Sequence, residues 1–224
     1  MVKTIPVPCS KEEIDRIIDA AAGDEFYYTL FMVAKTTGRR LGEYYGEPEM
    51  KTIGRKPLIK NGEPQLDKNG KPKMVDIKER TGRYIGGVQV KDINFEKGVM
   101  MTQVLKKRRN HSGKEAVLTD EVSRLLRQYV LRNKLKDDDY VFRKVSYRQI
   151  QNAITSYAKK SNVNHNVSFH NFRHYFVTEL YKKGLTYDQI AKLTGHSSPT
   201  TLLHYDHSVA SELKGKVLDA LQGI

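Results

Sequence analysis

Proline sets the first constraint on this chain. Four of its seven prolines, Pro48, Pro57, Pro64 and Pro72, fall in one stretch, and residues 73 to 198 contain none. Because proline removes a backbone donor and breaks helix interiors, the prolines isolate a non-helical segment and leave the flanks free to be helical. Before it, Ser10 and Glu13 form a capping-box pattern, with Ile14, Ile17, Ile18 and Ala21 at helical spacing. Residues 26 to 37 then read as a buried helix capped by Gly38, with a further helical turn or two over 39 to 45. Residues 46–84 hold ten Lys+Arg against six Asp+Glu, few apolar residues, and turn signals at Asn61-Gly62 and Asn69-Gly70. This segment is expected to be an inserted, exposed basic loop or β-hairpin that contributes phosphate contacts.

From Tyr84 to Thr119 the pattern is one of short strands, with turns at Gly86-Gly87, Glu96-Lys97-Gly98 and Asn110-His111-Ser112-Gly113. A small antiparallel sheet is expected there. Helical periodicity returns in Val122, Leu125, Leu126, Tyr129 and Val130, and again in Ile150, Ala153, Ile154 and Tyr157 behind the capping box Ser146 to Gln149. The expected fold is therefore α+β and predominantly helical, a single domain over 1–224 with a small antiparallel β-sheet.

Charge narrows the partner. The 224 residues include 39 Lys+Arg and 26 Asp+Glu, a formal net charge of +13, spread along the chain rather than clustered beside an apolar span. That distribution points to a polyanion, double-stranded DNA before membrane. No apolar run nears the roughly 18 residues a membrane helix needs, so an intracellular, DNA-associated (cytoplasmic) protein is expected. A lone cysteine, Cys9, rules out an intrachain disulfide and a multi-cysteine metal site. No Gly-rich phosphate loop is present, and no cofactor or metal is expected.

The chemistry-bearing residues lie in three places. His170 and Arg173 are three apart in Ser168-Phe169-His170-Asn171-Phe172-Arg173-His174, on one face of a helix, where an imidazole and a forked guanidinium can address the same ligand oxygens. A helix capped at Thr186 ends at Gly195, so His196 follows its C-terminus and Tyr205 comes nine residues later. Arg40 and Glu43 form another i, i+3 pair, in which the carboxylate can hold the guanidinium. Two arginines, two histidines and a tyrosine suit phosphodiester chemistry. The His170–His174 spacing also fits a helical zinc pair, but the HExxH glutamate is missing.

The ordered set Thr37-Gly38-Arg39-Arg40-Leu41-Gly42-Glu43, His170-Asn171-Phe172-Arg173-His174, Leu193-Thr194-Gly195-His196 and Leu203-His204-Tyr205 resembles the catalytic domain of the tyrosine recombinases, the phage integrase family. The resemblance implies a site-specific recombinase or integrase that cleaves and rejoins DNA through a 3′-phosphotyrosine intermediate. Tyr205 would be the nucleophile, Arg40 and Arg173 would hold the phosphate oxygens, and His170 and His196 would add hydrogen bonds and proton transfer. Glu43 would orient its neighbours. The family's general acid is a lysine on a β-hairpin, here within Lys106-Lys107-Arg108-Arg109. Strand alternation lets only one of the two lysines face the phosphate, and position after the apolar pair Val104-Leu105 favours Lys107 over Lys106, leaving Lys106, Arg108 and Arg109 as DNA contacts. The family also implies a homo-oligomer, a tetramer on DNA, in which a helix over 208–224 with Val209, Leu213, Val217 and Leu221 in one stripe docks on a partner protomer. Two alternatives remain: a non-catalytic helix-turn-helix DNA-binding module over 186–205, which leaves Arg40, His170 and Arg173 unexplained, and a type IB topoisomerase-like enzyme.

Overall fold

The computed structural model describes residues 8–103 and 113–195, which divide into two compact units, residues 46–85 and the remainder. In the larger unit, α1 (Lys11–Ala20) opens with a full capping box, Ser10 accepting from the Glu13 N–H while the Glu13 carboxylate accepts from the Ser10 N–H at 2.9 Å. Such a cap contributes about 1 kcal/mol. α2 (Glu25–Thr37) is capped by Asp24, whose carboxylate accepts from the N–H groups of Phe26 and Tyr27 at 3.0 and 3.2 Å. Leu30, Phe31, Val33 and Ala34 of α2 are wholly buried, which makes it the central helix, packed against α1 and against two later helices. Gly38, with φ at 60°, ends it in the left-handed conformation, and α3 (Leu41–Tyr45) follows.

The smaller unit is a β-ribbon. β1 (Glu47–Pro57) pairs antiparallel with the distant β4 (Met74–Ile85), and between them β2 (Ile59–Lys60) and β3 (Glu63–Pro64) close on Asn61-Gly62. The strand β4 runs to Ile85, one residue past the 46–84 span expected for the inserted segment, and the boundary falls at Gly86-Gly87.

That sheet, back in the larger unit, has β5 (Ile93–Asn94), β6 (Val99–Gln103) and β7 (Gly113–Val117) in order, all antiparallel, with Met100 facing Ala116. Four helices follow: α4 (Asp120–Arg132), α5 (Tyr147–Lys160), α6 (His170–Lys182) and α7 (Tyr187–Thr194). α5 and α7 start with the Ser146/Gln149 and Thr186/Gln189 capping boxes, and Gly195 (φ 74°) closes α7 as Gly38 closes α2. Phe172 of α6 lies 5.3 Å ring to ring from Phe31 of α2, joining the helices in one core. No helix among the described residues is long and apolar enough to cross a membrane.

Candidate phosphodiester-transfer site

The turn after α2 carries Arg39 and Arg40 in opposite settings. Arg40 is part-exposed: its guanidinium lies 3.3 Å from the Glu43 carboxylate, which also accepts from the Arg40 N–H at 2.8 Å. Glu43 is buried, so the expected i, i+3 pair is present and its carboxylate fixes the turn as well as the cation. Arg40 and His170 line the same cavity, of about 510 Å³, with Tyr147, Arg148, Asn152 and Ser168. His170 is exposed at the first turn of α6, where the Asn171 carboxamide oxygen accepts from the Ser168 N–H at 2.9 Å and from its hydroxyl at 3.1 Å. His174 stacks edge-on to His170 at 4.7 Å between ring centres. Burial, with the charge of Arg173 beside it, holds the His174 imidazole below its ordinary pKa.

Arg173 behaves differently from an exposed ligand-facing cation. It is fully buried, and its guanidinium donates to the Gly38 carbonyl at 3.0 Å and to the Thr194 carbonyl at 2.8 Å. One side chain on α6 therefore ties the end of α2 to the end of α7, two residues before Arg40 on one side and two before His196 on the other.

Arg39 does a parallel job that the sequence reading missed. Also fully buried, it donates through Nη2 to the Glu115 carbonyl of β7 at 2.7 Å, and its backbone N–H donates to the Tyr44 hydroxyl at 3.1 Å. Lys114, the neighbour of Glu115, reaches the Lys192 carbonyl of α7 at 3.4 Å. The sequence singles out Arg40 by its spacing to Glu43 but gives no sign that Arg39 turns inward, since its partner, the Glu115 carbonyl, lies 76 residues away.

The segments holding Lys106, Lys107, Arg108, Arg109, His196 and Tyr205 lie outside the described residues. Their attachment points do not: β6 and β7 flank 104–112, and Gly195 precedes His196. Arg39, Lys114 and Arg173 thus connect the Arg40 turn, the β6–β7 hairpin and the exit of α7.

Elsewhere, Cys9 is buried, and burial pushes its thiol up to about 11, the setting of an inert thiol. Its sulfur, the Glu13 carboxylate and His165 present ligand atoms within 4.8 Å of one another; none of the three belongs to the residue set above. His165 is 3.3 Å from both Glu13 oxygens, and Glu13 also serves as the α1 cap.

Comparison with known proteins gives this geometry a context. Tyrosine recombinase XerA of Saccharolobus solfataricus is 29% identical over 136 residues, 60% of this chain and 43% of that protein. XerA of Pyrococcus furiosus is 29% identical over 140 residues, 58% of this chain and 46% of that protein. The chain therefore spans less than half the length of these relatives. Among solved structures, an XerA recombinase superposes over 96% of this chain and 65% of its own with a TM-score of 0.66 at 22% identity. XerH in a post-cleavage complex with its difH substrate does so over 96% and 53%, at 0.64 and 14% identity. These likenesses establish the fold. The phage integrase family profile matches residues 83–212, more than half of the sequence, and on that ground the chain belongs to the phage integrase family.

Proposed function

We propose that this protein cleaves and rejoins double-stranded DNA at specific sites through a tyrosine nucleophile. The observation that carries the reading is the buried arginine linkage: Arg173 and Arg39 join, through backbone carbonyls, the three chain segments that bear Arg40, Lys106/Lys107 and His196 with Tyr205. Transesterification requires groups from distant parts of the sequence to meet at one reacting atom, and joining the described flanks of these segments suits that requirement. The XerA relatives and the DNA-bound XerH structure support the same reading.

In the proposed reaction the Tyr205 oxygen bonds to phosphorus as the P–O5′ bond breaks, leaving a 3′-phosphotyrosine and a free 5′-hydroxyl. An ordinary tyrosine has a pKa near 10, so it gives up its proton near neutrality only in an electropositive site. Arg40, held by Glu43, binds the non-bridging oxygens and stabilises the charge that builds on them, while the buried Arg173 adds its positive charge from behind the Gly38 and Thr194 carbonyls. His170 and His196 take part in hydrogen bonding and proton transfer, and Lys107, with Lys106 as the alternative, protonates the departing 5′-oxygen. Arg108 and Arg109, with Lys106, contact neighbouring phosphates. Reversal by a second 5′-hydroxyl rejoins the strands with no high-energy cofactor, because the phosphodiester energy is kept in the tyrosyl linkage.

Rejoining to a new partner needs several protomers on DNA, and a tetramer is proposed. Residues 208–224 supply its link by docking on the partner protomer; an apolar groove of about 390 Å³, lined by Ala116, Val117, Tyr175, Phe176, Leu180 and Leu193, suits the stripe of Val209, Leu213, Val217 and Leu221.

Linkage polarity tests the chemistry. On a nicked duplex, label at the 5′ end of the cleaved strand should remain with the protein, and the released piece should accept phosphate from polynucleotide kinase at its new 5′-hydroxyl. Label transfer with the opposite polarity would overturn the assignment.

A further inference from the structure

No residue from Glu47 to Ile85 is buried, yet nine of the twelve large apolar side chains exposed among the described residues belong to this unit. A two-stranded ribbon with open edges and no second layer is marginal in water, and exposed apolar surface of this kind marks contact with something else. Its far end forks. Leu58 donates to the Lys73 carbonyl, Lys73 to the Gln65 carbonyl and Gln65 to the Leu58 carbonyl, each at 2.7 Å, so two fingers leave one junction. One finger turns at Asn61-Gly62, with φ of 53° and 85°; the other is shaped by the Asp67 carboxylate, which accepts from the Asn69 and Lys71 N–H groups. Leu58, Ile59, Leu66 and Met74 stand 39 to 54% exposed around this fork.

Charge identifies the partner. The unit carries ten Lys+Arg against six Asp+Glu. Along β4, positions 76, 78 and 80 share a face, opposite Arg55, Thr52 and Met50. That face presents Arg55, Lys78 and Arg80, and of these three only Arg55 has an ion-pair partner among the described residues, Asp76 at 3.1 Å. The 11 residues of β1 span about 36 Å, close to one turn of duplex DNA. Two register shifts, between Pro48 and Met50 and between Thr52 and Gly54, add the twist that following a groove demands. A second copy of this ribbon would meet it with like charge.

We propose that the Gly46–Ile85 ribbon is a DNA-bending arm: its Arg55–Lys78–Arg80 face follows the phosphate backbone, and its apolar fork enters the minor groove as a wedge. Basic ribbons with apolar tips suit this mode because partial unstacking bends the duplex onto more protein surface. The inference is independent of phosphotyrosine chemistry, so its test uses the full chain carrying Tyr205→Phe.

The probe is a random-sequence duplex of about 60 base pairs with a donor and an acceptor dye at its ends, titrated at several salt concentrations. Replacing Arg55, Lys78 and Arg80 together by Gln should lower the slope of log affinity against log salt by about 3, at roughly 0.9 per phosphate contact. Leu58→Ser with Ile59→Ser should abolish the bend seen by energy transfer while leaving most of the salt slope. Unaltered thermal melting of both variants, expected because no replaced side chain is buried, excludes misfolding. An unchanged salt slope in the first, or an unchanged bend in the second, would overturn the arm. So would variants that alter only self-association without DNA, measured by sedimentation, since that outcome assigns the surface to a second copy.

Discussion

Arg173 spends two guanidinium donors on the carbonyls of Gly38 and Thr194 inside the protein, so its loss has a structural cost separate from any catalytic one. Arg173→Ala should lower stability by about 3 kcal/mol, since two charge-assisted bonds vanish and two buried carbonyls lose their donor. Chemical denaturation checks this; a loss below about 1 kcal/mol would mean the linkage is ornamental. His174 supplies a second test. Its pKa is held below the ordinary 6.5 in the fold, first by burial and then by Arg173, so the unfolded chain binds the proton more readily. The stability contributed by neutral His174 is full above about pH 6.5 and is lost as pH falls from there toward the folded-state value. The melting temperature should therefore drop more steeply between pH 6.5 and 5.5 in the native chain than in His174→Gln; parallel profiles would contradict it.

Among the elements, caps were the most legible feature, because they depend on near neighbours in sequence. Ser10/Glu13, Ser146/Gln149 and Thr186/Gln189 each form the box their spacing implies, and Gly38 and Gly195 both adopt positive φ. Gly38 is the most constrained of these. A Cβ there would strike the Phe176 ring, 2.7 Å from Cγ, in a backbone region that disfavours alanine. Gly38→Ala should destabilise by roughly 2–3 kcal/mol and displace the Arg40 turn, which calorimetry and DNA affinity would report. Less legible were long-range pairings: β1 finds β4 across an intervening hairpin, and Arg39 finds the Glu115 carbonyl 76 residues away. Local pattern gives neither the β1–β4 register nor the Arg39 bond, so residues 46–84 were read only as a loop or β-hairpin and Arg39 was overlooked. The pairing of Arg40 with Glu43 was legible because both lie within one helical turn.

For the molecule as a whole, family membership and fold follow from motif order, which a short sequence profile preserves even where identity is 29% or lower. Assembly is a separate property. Truncation after Ser208 should leave a folded monomer but abolish cooperative assembly on DNA, as read by gel shift and sedimentation; loss of the fold would place the segment in its own core instead. The central claim concerns Tyr205, and one measurement reaches it directly. The native chain and Tyr205→Phe are incubated with a nicked suicide duplex in EDTA, then separated on a denaturing gel. The account predicts a denaturation-resistant protein–DNA adduct with the native chain and none with Tyr205→Phe. An adduct that survives the substitution, or reversible binding without adduct in both proteins, would contradict it.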